Sequence, residues 1–192
     1  FSSQAAIKED EQFLVGTGVK EPQGILNGTA ANGAPFNTDV AVPVSGNATA
    51  ITFDAIVGMP YSLAGQYRQR KKPSVVYGFT STTAGALAKL KSSTGEYLWT
   101  EMYGNNAVAA PETLRGFKVM ESESLPEIAA NTYPIIFGDI EGYRIIDRVG
   151  MSVQRYDDAS TAATDSVIFY LRRRYGGQCA EGYRLSAMKV SV

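Results

Sequence analysis

Apolar residues recur at three- and four-residue steps from Asp54, at Ile56, Val57, Tyr61, Ala64 and Tyr67, and this period predicts a helix. Pro60 lies inside it and removes a backbone donor, so a kink or a fresh helix start is expected at Met59–Pro60. Arg68, Arg70, Lys71 and Lys72 place positive charge where it suits the helix dipole, and Pro73 is the stop. Ser81 is a plausible N-cap for a second helix over 82–92, with Gly95 just beyond it. Before these helices the pattern is different. Residues 1–12 have helix-compatible composition and read as the last turns of a helix that begins upstream. Residues 13–50 hold six glycines and three prolines, a density that predicts loop with short extended pieces at Val40–Val42 and Ala50–Thr52.

The second half is patterned for strands. Ser74–Phe79, Arg115–Ser122, Pro134–Gly138 and Tyr143–Asp147 are compact apolar or alternating runs bounded by turn residues. Met151–Tyr156 alternates, Asp157–Thr164 reads as a polar turn or hairpin loop, and Ser166–Arg174 is a long strand. A bulge or bend is expected at Gly176-Gly177, and Ser186–Val192 is a closing strand. Two helices near the middle, with strands before and after, make this an α+β chain. Its 192 residues suit one compact domain or two small lobes.

Composition narrows the chemistry. There is no histidine, which removes Ser–His–Asp and Cys–His catalysis, HExxH zinc sites and imidazole pH switches. The lone Cys179 cannot form an intrachain disulfide and reads as a small buried apolar residue. Eighteen basic against 19 acidic residues leave a net charge of −1, which argues against bulk electrostatic grip on nucleic acid. No stretch has the ~20 mainly apolar residues that a membrane span needs, and no signal peptide is visible. The run Val15–Gly24 is glycine-rich but lacks the GK[ST] ending of a phosphate loop, so a structural turn is the better reading. Asp139, Glu141, Asp157 and Asp158 fall in expected turns, where aspartate is ordinarily a turn former. A carboxylate-dependent hydrolase is therefore a distant alternative.

Two charged clusters stand out as candidate interaction residues. Glu9, Asp10 and Glu11 oppose the dipole at a helix C-terminus, so a basic partner is expected elsewhere. Arg172, Arg173 and Arg174 sit in a strand, with Arg172 and Arg174 on one face and Arg173 on the other. They suit either a charged edge that discourages pairing or ion pairs with a neighbouring subunit.

Five collinear pieces resemble one family. Glu11–Gly18 (EQFLVGTG) followed by Pro22–Leu26 (PQGIL), then Leu87–Trp99 (LAKLKSSTGEYLW) and Leu114–Pro126, are similar to segments of tailed-phage and prophage major capsid proteins. Pro134–Asp139 (PIIFGD) and Tyr143–Arg155 continue the match. This is the family with the fold named after phage HK-ninety-seven. The resemblance implies an α+β shell subunit with a peripheral (P) and an axial (A) domain, lacking the family's N-terminal arm, E-loop and most of its spine helix. The implied division is 1–51 and 144–183 peripheral, 52–143 and 184–192 axial. It makes Gly16, Gly18, Pro22 and Gly24 a rigid P-domain loop, and Glu9–Glu11 and Arg172–Arg174 subunit-interface residues. It also implies no cofactor, no metal and no catalysis. The partners would be other copies in pentamers and hexamers, a scaffold or protease during assembly, and packaged double-stranded DNA held non-specifically. The place would be the virion capsid, made in the host bacterial cytoplasm. An encapsulin-like nanocompartment shell is the alternative. Some members join subunits through a Lys–Asn isopeptide bond promoted by a glutamate on the long P-domain strand. Here 157–165 (DDASTAATD) has no asparagine, and the acid's position reads Leu171-Arg172-Arg173-Arg174, so that chemistry is expected to be missing.

Overall fold

The computed structural model describes residues 2–26, 42–68, 74–91, 95, 113–156 and 167–191. Along them run α1 (Ser2–Val15), α2 (Phe53–Gly58), α3 (Gly65–Arg68), β1 (Val75–Phe79) and α4 (Ser81–Ala88). There follow β2 (Thr113–Leu114), β3 (Phe117–Glu121), β4 (Ile135–Asp139), β5 (Tyr143–Tyr156), β6 (Ile168–Cys179) and β7 (Leu185–Met188). Five strands form one sheet in the order β2-β3-β1-β4-β7, and β5 and β6 form a separate antiparallel ribbon. The α+β expectation holds.

The sheet is covered on both faces, and strand alternation decides which residue goes where. On one face Tyr77, Phe79, Ile135, Phe137 and Met188 pack against Ile56, Met59, Leu63 and Leu87 from the helical segments. Phe137 sits between two rings, 4.6 Å from Tyr77 and 5.0 Å from Phe117 by centroid. The Tyr77 hydroxyl donates to the Ile56 carbonyl at 3.2 Å, and burial pushes its pKa well above the usual tyrosine value. On the opposite face Ile136, Leu185 and Ala187 pack against Leu14, Ile25 and Leu26 from the end of α1 and the returning loop. Tyr143 and Cys179, at the base of the ribbon, belong to this second cluster. The same core thus holds the sheet, α1 and the ribbon base together.

Local structure departs from the expected elements at several points. The helical run from Asp54 changes at Met59–Pro60 as expected: α2 gives way to a 3-10 turn at Met59–Ser62 with Pro60 in its first positions, and beyond the expected kink α3 is a separate short helix. The cap of α2 is Thr52, whose hydroxyl accepts from the Ala55 N–H at 3.3 Å. The second helix is capped by Thr80, not Ser81, and ends at Ala88. Ala50–Thr52 is not a strand. The two short strands expected at 143–147 and 151–156 are one continuous β5, with register shifts between Asp147 and Ser152. The irregularity is therefore in β5, while Gly176 and Gly177 pair regularly with Ile146 and Ile145. Gly177 has another purpose: a Cβ there would enter the Tyr143 ring, 2.8 Å from its Cζ. The expected features at 40–41, 70–73, 96–99 (EYLW) and 157–165 lie outside the described residues.

Candidate subunit interface

Helix α1 ends in the glycine-rich loop, and the loop folds straight back along the helix. The Gly16 N–H donates to Gln12 O at 3.0 Å, and the Gly24 N–H donates to Gly16 O at 2.9 Å. Ile25 and Leu26 N–H groups then reach Phe13 and Leu14 carbonyls at 3.0 and 2.8 Å. This close approach requires glycine. A Cβ on Gly24 would lie 2.5 Å from Gly16 N and 2.7 Å from the Leu14 carbonyl carbon, and one on Gly16 would enter the Gln12 and Pro22 carbonyls. At the turn, Gly18 takes φ +76° and donates to Pro22 O at 3.2 Å. Glu21 accepts from the Thr17 hydroxyl at 2.5 Å and N–H at 2.8 Å, and these donors hold its carboxyl below the usual range. The loop is also fastened to the ribbon. The Gln23 N–H donates to Gly177 O at 2.8 Å, and the Tyr143 hydroxyl donates to Gln23 O at 2.8 Å. Gly16, Gly18, Pro22 and Gly24 therefore lie in one hydrogen-bonded turn.

The acids of α1 find three different partners. Glu9 pairs with Arg173, whose guanidinium also grips Asp147 at 2.7 and 3.2 Å. These carboxylates, Asp147 first, push the Arg173 pKa further up. Asp10 accepts from the hydroxyls of Ser122 and Ser124, the latter at 3.1 Å, joining α1 to the segment after β3. Glu11 pairs with Lys8 one turn back, at 2.6 Å. Next to Arg173, the Tyr175 hydroxyl donates to Gln12 at 2.5 Å, and the Tyr175 ring packs edge-on to Phe13 at 5.4 Å. Helix α1 is thus held to the ribbon by an ion pair, a hydrogen bond and an aromatic contact.

Arg173 faces α1, and alternation puts Arg172 and Arg174 on the other face, where both are exposed. Neither has an ion-pair partner among the described residues. On their face stand Ile146, Val149, Ile168 and Tyr170, all more than a third exposed. The α1-side face is also exposed towards the far end of the ribbon, at Val153 and Phe169. Reading the arginines as the contact chemistry overlooked these apolar residues. The signal was present: 167–171 (VIFYL) is apolar at every position, whereas a strand with one wet face alternates.

Among the described residues no arrangement points to catalysis or to a metal. No three of His, Cys, Asp and Glu there cluster to hold a metal ion. Cys179 is buried in the second core cluster. Asp139 is buried and pairs with Arg184 at 3.3 Å, and Glu141 donates its N–H to Asp139 in a turn. The glycine-rich run follows α1, and the next described helix, α2, begins only at Phe53, so the run does not lead into a described helix as a phosphate loop does. No described helix is long and apolar enough to cross a membrane.

Two solved capsid chains, from an empty and a native GTA particle, are each 31% identical with a TM-score of 0.80 and match all of this chain. This chain spans 64% and 63% of their lengths. A chain of Gordonia phage Cozz (13% identity, TM-score 0.61, all of this chain and 61% of that one) shares the fold. So does one of Mycobacterium phage Bobi (14%, 0.60, 97% of this chain and 61% of that one). No curated protein sequence matches. The family model described as the Phage capsid family matches residues 1–189, and the chain belongs to that family.

Proposed function

We propose that this chain is the core of a major capsid subunit, a structural protein that associates with copies of itself into an icosahedral shell around double-stranded DNA. The observation that carries the reading is the ribbon: a two-stranded element with exposed apolar residues on both faces, standing outside the core in a chain of the Phage capsid family. Such a ribbon is marginal in water on its own, and large exposed apolar patches mark association sites. In this reading 1–51 and 144–183 form the peripheral lobe, and 52–143 with 184–192 the axial lobe. The second core cluster, which joins Leu14 and Tyr143 to Ile136 and Leu185, fits two lobes packed as one unit. Glu9, Asp10 and Arg173 set the orientation of the ribbon, Glu11 braces α1, and Arg172 and Arg174 meet neighbouring copies. A scaffold or protease acts during assembly in the host cytoplasm, and packaged DNA is held without sequence preference. Neither the compartment alternative nor the hydrolase alternative is favoured by the family match.

The test is expression of the complete reading frame that encodes this chain, followed by electron microscopy and light scattering. Closed particles are expected. Persistently monomeric protein overturns the proposal.

A further inference from the structure

A cleft of about 860 Å³ opens between the loop after α1 and the base of the ribbon, and its charge is unbalanced. Lys20, Arg148, Arg173 and Arg174 line it, against the single carboxylate of Glu21. Arg173 is already neutralised by Glu9 and Asp147. Lys20, Arg148 and Arg174 have no ion-pair partner among the described residues, so three cations face one acid. Lys20, among the residues lining the cleft, sits at φ +63°, a left-handed conformation uncommon outside glycine.

We infer that this cleft receives the acidic segment 157–165 of a neighbouring copy of the chain. That segment, DDASTAATD, links β5 to β6 and carries three aspartates and no basic residue. Within one chain the aspartates of this segment cannot fill the cleft. Arg148 lies eight residues from the end of β5, roughly 26 Å along an extended strand. Asp157 and Asp158 are within two residues of the end of β5 and Asp165 is three before the start of β6, so they reach back at most about 10 Å along the backbone. An occupant drawn from that segment therefore comes from another copy. The ribbon favours a second copy as that source. Its exposed apolar faces need cover, and antiparallel apposition of two ribbons sets the acidic end of each beside the basic base of the other. Two observations favour a peptide over a nucleic-acid backbone. Glu21, held ionised by Thr17, repels a continuous polyanion but tolerates discrete carboxylates placed beside the cations. Pro22, Ile146 and Tyr175 give the cleft apolar walls suited to the small alanine and threonine side chains of the segment.

This inference rests on the shell reading, and the experiment separates the two. The complete reading frame is expressed as wild type, with Arg148→Glu and Arg174→Glu, with Asp157→Lys and Asp158→Lys, and with all four changes. Particles are counted by electron microscopy and sedimentation over a concentration series, and melting temperatures confirm that each variant is folded. Wild-type protein that forms no particles defeats the shell reading itself. If wild type assembles, each double variant is expected to raise the threshold concentration at least tenfold, and the quadruple variant to return it to within threefold. Normal assembly of either double variant overturns the inference, and so does failure of the quadruple to recover. Normal assembly with reduced DNA retention by the cleft variant also overturns it and assigns the cations to phosphate. A second measurement does not depend on charge reversal. Lys20→Cys with Asp158→Cys, oxidised with a copper catalyst in assembled particles, is expected to give disulfide-linked dimers on a non-reducing gel. Monomer alone overturns the inference.

Discussion

Replacing Ile146, Val149 and Ile168 together by threonine tests whether the arginine-bearing face of the ribbon is a contact surface. All three stand on that face and are 68%, 41% and 53% exposed. Threonine keeps the β-branch and the strand preference, so the ribbon should form as before. What changes is transfer free energy. Burying a whole isoleucine or valine is worth about 1.5–3 kcal/mol, so covering the exposed fractions of these three contributes roughly 2.5–5 kcal/mol per face. Threonine forfeits most of this, and each hydroxyl adds about 1 kcal/mol more if it is buried without a partner. A loss of roughly 3–5 kcal/mol per contact weakens association by about a hundredfold to several thousandfold, at ~1.4 kcal/mol per decade.

The assay has two arms. In the complete reading frame, sedimentation velocity and electron microscopy over a concentration series should show the triple variant failing to assemble where wild type forms particles. In the 192-residue chain alone, calorimetry should show little change, because exposed substitutions usually fall within about 0.5 kcal/mol each. Assembly at an unchanged threshold would refute the reasoning, since the face would then be free in the particle. A large drop in the melting temperature of the isolated chain would refute it differently, because the face would already be packed within the chain.

Three further outcomes follow from the same geometry. Gly24→Ala should destabilise the chain and loosen the attachment of α1, because the new Cβ meets backbone at 2.5–2.7 Å; the melting temperature and amide exchange at Ile25 and Leu26 report it. Stability should decline above about pH 10, because burial raises the pKa of Tyr77 and Tyr143: the neutral phenols are fully stabilising below the ordinary tyrosine pKa, and their contribution is lost as pH rises towards the folded values. The slope is about 1.4 kcal/mol per pH unit per tyrosine, and Tyr77→Phe should remove one share of it in an alkaline denaturation series, while costing about 0.5–1.5 kcal/mol at neutral pH for the bond to Ile56. Assembled particles boiled in detergent should run as a single monomer band, since 157–165 lacks asparagine and the strand lacks the promoting acid; a ladder of covalent multimers would contradict this.

Much of the sheet was legible because its information is local. Val75–Phe79 and Ile135–Asp139 are short apolar runs between turn residues, and both are buried throughout. Boundaries moved where two residues could do one task. Thr80 and Ser81 are both good caps, and the choice fell to Thr80 because its hydroxyl reaches the Thr83 N–H at 3.2 Å. Residues 148–150 looked like a break because alternation lapses there, yet a bulge absorbs the extra residues and lets β5 continue. Gly176-Gly177 looked like a bulge because a glycine pair in a strand usually marks one. The need at Gly177 is instead space for the Tyr143 ring, set by a residue 34 positions away. The site was less legible for the same reason. Glu9 and Arg173 are 164 residues apart, and no local pattern announces their pairing.

That pairing divides the charged residues into those that tie the ribbon to α1 and those that face away from it. Arg173 faces inward and joins α1 to β5 through Glu9 and Asp147, a clamp expected to set the angle at which the ribbon leaves the core. Arg172 and Arg174 face outward with the apolar residues and leave that angle untouched. A change at Arg173 therefore alters geometry without altering the chemistry of the exposed face, and changes at Arg172 and Arg174 do the reverse. Arg173→Gln should leave two acids without their cation, Glu9 facing Asp147, and amide exchange should rise in α1 and along Asp147–Val149. Assembly should fall, or give particles of mixed size, because subunit angle sets shell curvature. Arg172→Gln should leave exchange in α1 unchanged and act on association alone. If Arg173→Gln leaves α1 exchange and particle geometry as in wild type, the clamp does not orient the ribbon, and the core contacts of Tyr143 and Phe13 suffice on their own.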